Sequence, residues 1–341
     1  MQNKQEALVR LGGGAVAVFA AVMLAAGCQP VTVSMTLFDN PGRLGETEVE
    51  RDAGARGDKV AVIDIRGVIA DREDGLIPGL GGGPGSIDSL VTRLKMAEGD
   101  RAVKAVVLQI NSPGGTVTAS DAMYRELRSF RQRTGKPIVA SLGEVAASGG
   151  YYVALAADEI VAEPTGITGS IGVIMTTINL SQGLSRVGVV SRSVKSGANK
   201  DMANPLEPMR EGQYEVLQAM VDEFYAGFRG LVLSRRTIEP GRVDELTDGR
   251  VVTGLAAARA GLVDRVGGVR DAFERAKTLA GIGPARMVKY TPESLARPQS
   301  VYAATPTQPA RAEERGMSLV RLDEITGGLT PGRAYYMWGG E

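Results

Sequence analysis

The sequence predicts an α/β protein with a largely parallel sheet and flanking helices. Three observations carry this. Apolar runs of strand length, rich in valine and isoleucine, recur from Lys59 onward. Helix-like runs alternate with them through most of 59–280, the pattern of successive β–α–β units. Glycine-rich turns follow the strands at their carboxyl ends, where sheets of this kind meet ligands.

Each element has its own signal. Gln29 to Asp58 mixes proline, glycine and charge and reads as a tether, with at most a short strand at Val31 to Leu37. Lys59 to Ile65 is the first buried strand. Gly75 to Gly85 reads as a mobile loop; Pro84 stands where a phosphate-binding helix would open, which argues against a nucleotide site. Ser86 to Ala97 reads as a helix and Ala105 to Ile110 as a second buried strand, entering the turn Asn111-Ser112-Pro113-Gly114-Gly115. Thr118 has the character of an N-cap with Asp121 closing a capping box. Met123, Leu127 and Phe130 give that helix one core face as far as Arg133.

Pro137 to Leu142 is a third strand, Tyr151 to Ala157 a helix, and Glu159 to Ala162 a fourth strand. Thr168 to Ile174 reads as a turn leading into a strand, and Val187 to Val194 as another short strand. A long helix is expected over Pro208 to Arg235, with Tyr214, Leu217, Val221 and Phe224 on one face. A strand-helix unit over Gly249 to Ala260 and a helix over Val269 to Ala280 complete a folded domain at 59–285. Residues 286–341 read as a partly disordered tail. Its aromatic end, Tyr335-Tyr336-Met337-Trp338, has the character of a docking tail or of a strand added to a neighbour.

Composition excludes several functions. Lysine plus arginine equals aspartate plus glutamate, 39 each, so bulk charge favours neither nucleic acid nor an anionic membrane surface. Histidine is absent, which removes the Ser-His-Asp triad and histidine metal sites. The single cysteine, Cys28, cannot form an intramolecular disulfide. It ends Leu24-Ala25-Ala26-Gly27-Cys28, behind an uncharged run from Leu11 to Ala26. That run falls short of the ~20 residues of a full span but suits an export signal. The end of residues 1–28 resembles a bacterial lipobox, with Ala25 where leucine is usual, and implies that Cys28 is lipidated. An uncleaved anchor helix is the alternative, and both put the rest of the chain outside the cytoplasm.

The chemistry centres on Ala146-Ala147-Ser148-Gly149-Gly150-Tyr151-Tyr152. A serine stands where a strand gives way to a helix, walled by small residues. Taken alone, the segment fits a small-residue packing contact between strand and helix better than a reactive serine; the rest of the chain reverses that. A nucleophilic serine without histidine needs another base, and lysine is the leading candidate. A free lysine, with a pKa of ~10.4, needs an apolar, water-excluding site to give up its proton near neutral pH. Ala146, Ala147, Ile171, Val173 and Ile174 could wall such a site. The Ser-x-x-Lys pattern of β-lactamases and a Gly-x-Ser-x-Gly elbow around Ser148 are both missing.

Five pieces in order complete the pattern: Ile110 to Gly115, Ala146 to Tyr152, Thr168 to Val173, Lys195-Ser196-Gly197 with Lys200-Asp201, and Asp248-Gly249-Arg250 through Gly261 to Asp264. Over about Val60 to Ala280 the chain resembles the signal peptide peptidase A (protease IV) family. These are serine peptidases with a Ser-Lys dyad on a Clp-protease/crotonase-like fold, and only one copy of that fold is present here.

The resemblance implies Ser148 as nucleophile, Lys200 as general base and Ser170 as the residue that orients the lysine. It implies the backbone N–H groups of Gly114 and Gly149 as the oxyanion hole. Lys195 matches a family lysine without an evident role. It implies no metal or organic cofactor, a ring-like homo-oligomer, a base that one subunit can lend to the next, and cleaved signal peptides or other short apolar peptides as substrates. The small wall residues suggest a narrow pocket for side chains of modest size. A crotonase-type acyl-CoA enzyme and a catalytically inactive lipoprotein scaffold of the same fold are the competing readings.

Overall fold

Val60, Val62, Ala105, Val107 and Val139 face one side of a sheet, while Ala61, Ile63, Val106, Leu108, Ile138 and Ala140 face the other. This is the two-residue period of strands buried on both faces. The structure, a computed structural model, describes residues 44–71, 85–292, 300–303 and 334–337. Cys28, the possible strand at Val31 to Leu37 and most of the glycine-rich loop before Ser86 lie outside the described residues.

The strands are β1 (Leu44–Arg51), β2 (Lys59–Arg66), β3 (Val103–Ser112), β4 (Gly114–Thr116), β5 (Ile138–Ala147) and β6 (Glu159–Ala162). They continue with β7 (Ile167–Gly169), β8 (Ile174–Met175), β9 (Val251–Thr253), β10 (Arg265–Val266), β11 (Arg286–Pro292) and β12 (Ala334–Met337). The helices are α1 (Ser86–Gly99), α2 (Val117–Thr134), α3 (Gly149–Ala154), α4 (Ser181–Arg186), α5 (Glu211–Arg235), α6 (Val243–Leu246), α7 (Gly254–Arg259) and α8 (Val269–Ala280).

The main sheet runs β1-β11-β2-β3-β5-β6-β10. Its pairings are parallel from β11 through β10, with β1 antiparallel at the edge. α8 covers one face through Val269, Ala272, Phe273 and Ala276. The other face carries α1, α2 and α3 through Leu90, Leu94, Met123, Leu127, Phe130, Tyr151 and Val153. β5 is shared: residues 139–142 pair with β6, whereas residues 145–147 pair with β7. The chain after β5 therefore emerges between two layers, and Ser148 is the residue at that point.

The structure differs from expectation in five places. β1 and β11 extend the sheet on both sides of the domain expected at 59–285. Thr116, not Thr118, caps α2: its Oγ1 accepts from the Ala119 N–H at 3.3 Å. Asp121 is freed from capping, pairs with Arg125 and accepts from the Tyr152 hydroxyl. Residues 187–194 form no strand, and Val187, Val190 and Val194 are exposed. α5 buries Gln213, Phe228 and Val232, while Tyr214 is exposed and Leu217, Val221 and Phe224 are half-buried. Alternating or periodic valine and leucine marks an apolar surface, and within one chain these two stretches have little to pack against.

Candidate active site

Ser148 lies at a sharp strand-to-helix turn. Its φ is 51° and its ψ −114°, a backbone conformation few non-glycine residues adopt. Its N–H donates to the Gly169 carbonyl at 2.8 Å, and its own carbonyl accepts from the Tyr152 N–H at 2.8 Å. These bonds hold the strained residue between β7 and α3. Positions two before and two after Ser148 are Ala146 and Gly150, both buried. A Cβ on Gly150 would lie 2.9 Å from the Ser112 carbonyl oxygen. Small residues at these places, in the order Ala-x-Ser-x-Gly, let the strand-to-helix turn close.

The Ser148 side chain is buried, and its Oγ has no hydrogen-bond partner among the described residues. Such an orphan has a cost, since a buried polar group without a partner loses its bonds to water. Together with the backbone strain, ~1–3 kcal/mol on its own, it marks a position kept for something other than stability.

Ser170 stands beside it. Ala147 pairs with Gly169 across the parallel β5–β7 ladder, so the next residues, Ser148 and Ser170, leave neighbouring strands at the same level. Ser170 is also buried, has a φ of 52°, and donates its N–H to the Arg250 carbonyl at 2.7 Å. Among the described residues only these two serines and Ala203 combine a side chain with positive φ.

The glycines face each other. A Cβ on Gly114, whose φ is +114°, would sit 2.8 Å from the Gly149 nitrogen. A Cβ on Gly149 would sit 3.0 Å from the Gly115 nitrogen and 2.5 Å from Ser120 Oγ. Only glycine allows this approach of β4 to the start of α3. The Gly114 N–H donates to Ser112 Oγ at 3.1 Å.

Lys200 is not part of this cluster within one chain. It is exposed, and no hydrogen bond joins its Nζ to Ser148 or Ser170 among the described residues. The predicted wall is also incomplete, for Ala146, Ala147 and Ile171 are buried whereas Ile174 is exposed. Lys195 gains a role that sequence reasoning missed. Its ammonium pairs with Asp201, the residue after Lys200. Gln213, buried at the start of α5, donates to Asp201 Oδ1 at 2.9 Å and to the Ala198 carbonyl at 3.1 Å. The hydrogen bond from Lys195 holds the Asp201 carboxyl below the usual carboxylate range, with that from Gln213 adding to it. Lys195, Asp201 and Gln213 thus brace the loop that carries Lys200.

The two tyrosines after Gly150 divide their work. Tyr151 is a core anchor whose hydroxyl donates to the Leu262 carbonyl at 2.6 Å. Tyr152 donates to Asp121 Oδ1 at 3.0 Å, and burial, reinforced by the Asp121 carboxylate, raises its pKa so that the phenol keeps its proton.

Residues 130–283, which include Ser148, Ser170 and Lys200, match peptidase family S49. Residues 85–164 match the Clp protease family. A relative in Enterococcus faecium, named for signal peptide peptidase SppA, is 34% identical over 244 residues, covering 72% of this chain and 70% of its own. The chain belongs to peptidase family S49. It is a serine peptidase with the α/β, Clp-protease-like fold that the sequence predicts. Protease 4 of Salmonella typhi is 38% identical over 226 residues, 66% of this chain and 35% of that one. The chloroplastic serine protease SPPA of Arabidopsis thaliana is 32% identical over 276 residues, 80% of this S49 chain and 39% of that one.

Proposed function

We propose that this S49 chain is an exported, membrane-attached endopeptidase whose active sites pair Ser148 of one subunit with Lys200 of the next. The observation that carries the reading is the buried, strained Ser148 with an unpartnered Oγ. Lys200 is exposed on a braced loop, a place from which it can serve a neighbour. Apolar surface along α5 and at 187–194 suits burial in a ring-like homo-oligomer.

In this reading, Lys200 takes the Ser148 proton as Oγ attacks the substrate carbonyl carbon. Ser170, level with Ser148 on the next strand, orients the lysine. The Gly149 and Gly114 N–H groups bind the developing oxyanion. Gly114 leaves the Ser112 hydroxyl for it, because a hydrogen bond to a charged acceptor is about twice as strong as one to a neutral group. The C–N bond then breaks, the lysine passes its proton to the leaving amine, and water hydrolyses the Ser148 ester. This chemistry uses no metal or organic cofactor. Cleaved signal peptides and other short apolar peptides are the proposed substrates, after the name of the Enterococcus relative.

A fluorophosphonate probe is expected to label the wild-type assembly at Ser148. Labelling should vanish in Ser148→Ala and fall sharply in Lys200→Ala. A folded, assembled wild type that takes no label would overturn the peptidase mechanism.

Lipidation at Cys28 is the proposed attachment. Cys28→Ser is expected to move the protein from the membrane to the soluble fraction of its host if the lipid is the anchor. Retention in the membrane, together with an unprocessed amino terminus, would point to the uncleaved helix instead. Among the described residues no helix is long and apolar enough to cross a membrane.

A further inference from the structure

The groups of the proposed site leave from two neighbouring strands. Gly114 follows the end of β3, whereas Ser148 and Gly149 follow the end of β5. Their spacing therefore depends on how these strands are joined just before the site. The parallel ladder of β3 and β5 is regular from Val106 opposite Ile138 to Ile110 opposite Leu142, and it resumes with Ser112 opposite Ala146. In the gap, one residue of β3, Asn111, faces three of β5: Gly143, Glu144 and Val145. Extra residues on one strand bend it and leave backbone groups outside the ladder, and such irregularities gather beside active sites.

Asn111 spans the gap with its side chain. Its Oδ1 accepts from the Val145 N–H at 3.1 Å. Its backbone stays in the sheet: Asn111 pairs with Arg66 of β2, and its carbonyl accepts from the Gly67 N–H at 3.1 Å. The acceptor is thus held from a fixed strand. Gly143 gives the side chain room, for a Cβ there would lie 3.3 Å from the Ile110 carbonyl oxygen and 3.7 Å from the Asn111 Cβ. Glu144, the middle residue of the three, is exposed. An apolar side chain of the same size at position 111 would leave the half-buried Val145 N–H without this acceptor.

The bond sits where β5 changes layer. Leu142 pairs with Ala162 of β6, and Val145 pairs with Ile167 of β7. The irregular stretch carries β5 from one to the other, and Ser148 follows Val145 by three residues.

We propose that Asn111 is a positioning residue of the active site. Its bond to Val145 fixes the offset between the ends of β3 and β5, and with it the placing of Gly114 against Ser148 and Gly149. Asn111 touches no reacting atom and acts through Val145. A displacement of about 1 Å in a site of this kind lowers the rate about a hundredfold. The inference rests on Ser148 as the nucleophile; the hydrogen bond does not.

The test compares the full wild-type chain with Asn111→Leu, similar in size but without an acceptor, and Asn111→Asp, similar in shape and keeping one. Amide hydrogen exchange is read at single residues by mass spectrometry. Exchange at Val145 is expected to be about tenfold faster in Asn111→Leu and within about threefold of wild type in Asn111→Asp. The Ser148 N–H, which donates to the Gly169 carbonyl at 2.8 Å, should follow Val145. In Asn111→Leu, kcat for a fluorogenic peptide and the rate of fluorophosphonate labelling should fall about ten- to a hundredfold. KM should stay within about twofold, since the loss falls on the transition state. Asn111→Asp should keep kcat within about threefold of wild type. Active sites titrated with the probe give kcat per folded site, so a smaller folded fraction does not imitate the effect. If Asn111→Leu does not fold, Asn111→Ala removes the acceptor without adding bulk.

Unchanged exchange at Val145 in Asn111→Leu would overturn the proposal. So would faster exchange with kcat and labelling unaltered, or an Asn111→Asp chain that loses as much activity as Asn111→Leu. A wild type that neither labels nor cleaves would sink the peptidase mechanism alone. The exchange comparison needs no activity, and acceleration at Val145 that leaves Ser148 unmoved would then count against Asn111 as its positioner.

Discussion

Chains carrying Ser148→Ala and chains carrying Lys200→Ala are each expected to lose about 10⁴-fold in kcat, the scale on which serine hydrolases respond to loss of a nucleophile or its base. Co-assembled, they are expected to regain part of it. If each site takes its serine from one subunit and its lysine from the next, random mixing of equal amounts gives about a quarter of sites both groups, half times half. The reason to expect sharing is geometric. Ser148 Oγ is buried and unpartnered, whereas Lys200 is exposed on a loop held by Lys195, Asp201 and Gln213. That bracing fixes the loop to α5 and opposes a swing of Lys200 onto the Ser148 of its own chain. Mass spectrometry of the native assembly would verify mixing, and cleavage of a fluorogenic peptide would report recovery. No recovery in verified mixtures would show that each chain uses its own lysine or a different base.

Much of this was legible in the sequence, for reasons that can be given residue by residue. The strands at Lys59, Val103 and Ile138 are continuous apolar runs because both faces of the sheet are covered. The Ser148 turn shows in the run Ala-Ala-Ser-Gly-Gly, since only small side chains fit where β5 meets α3 and β4. Local pattern failed where tertiary context decides. Thr116 and Thr118 are equally good caps on paper, and the choice is made by where β4 ends. Residues 44–51 are mixed in polarity because an edge strand has half-exposed faces, so they read as tether. Val187 to Val194 has strand composition without a partner strand. The contact of three rings was beyond sequence reading altogether: Tyr152, Phe228 and Tyr336 are far apart in the chain, and their meeting is a product of the fold. The aromatic end reads as a docking tail or a strand added to a neighbour; Ala334–Met337 is a strand, and the sheet it joins is its own chain's.

Asp64→Asn is expected to cost about 3–5 kcal/mol of stability, the range for breaking a buried ion pair by removing one partner. Lys289 on β11 is 0% exposed, and its Nζ lies 3.1 Å from Asp64 Oδ1, with Gln109 Oε1 at 3.1 Å and the Ala303 carbonyl at 2.9 Å. Without the carboxylate, the ammonium keeps two neutral acceptors and no close counter-charge. Lys289→Met should cost less, because Asp64 still has Arg66 4.0 Å away. The double variant should be more stable than Asp64→Asn alone, since it no longer buries a lone charge.

Burial depresses the Lys289 pKa and Asp64 only partly offsets this. Between that lowered value and the ~10.4 of an unfolded lysine, the unfolded chain binds more protons, so stability rises with pH in that window. The rise should steepen in Asp64→Asn and disappear in Lys289→Met, as urea midpoints at several alkaline pH values would show. A double variant no more stable than Asp64→Asn would mean that the pair is not the source of the loss. The same cluster shows why burial alone does not nominate a catalytic base. Lys289 is a buried lysine with a depressed pKa, yet it lies on the α8 side of the sheet with Val62, Val107 and Met287, away from the α2–α3 side on which Ala146 and Tyr151 are buried. Lys200 has the reverse properties within one chain, exposure and a place in the motif. For it to act as the base its water must be removed, and the mixing experiment asks whether the serine it then serves belongs to another subunit.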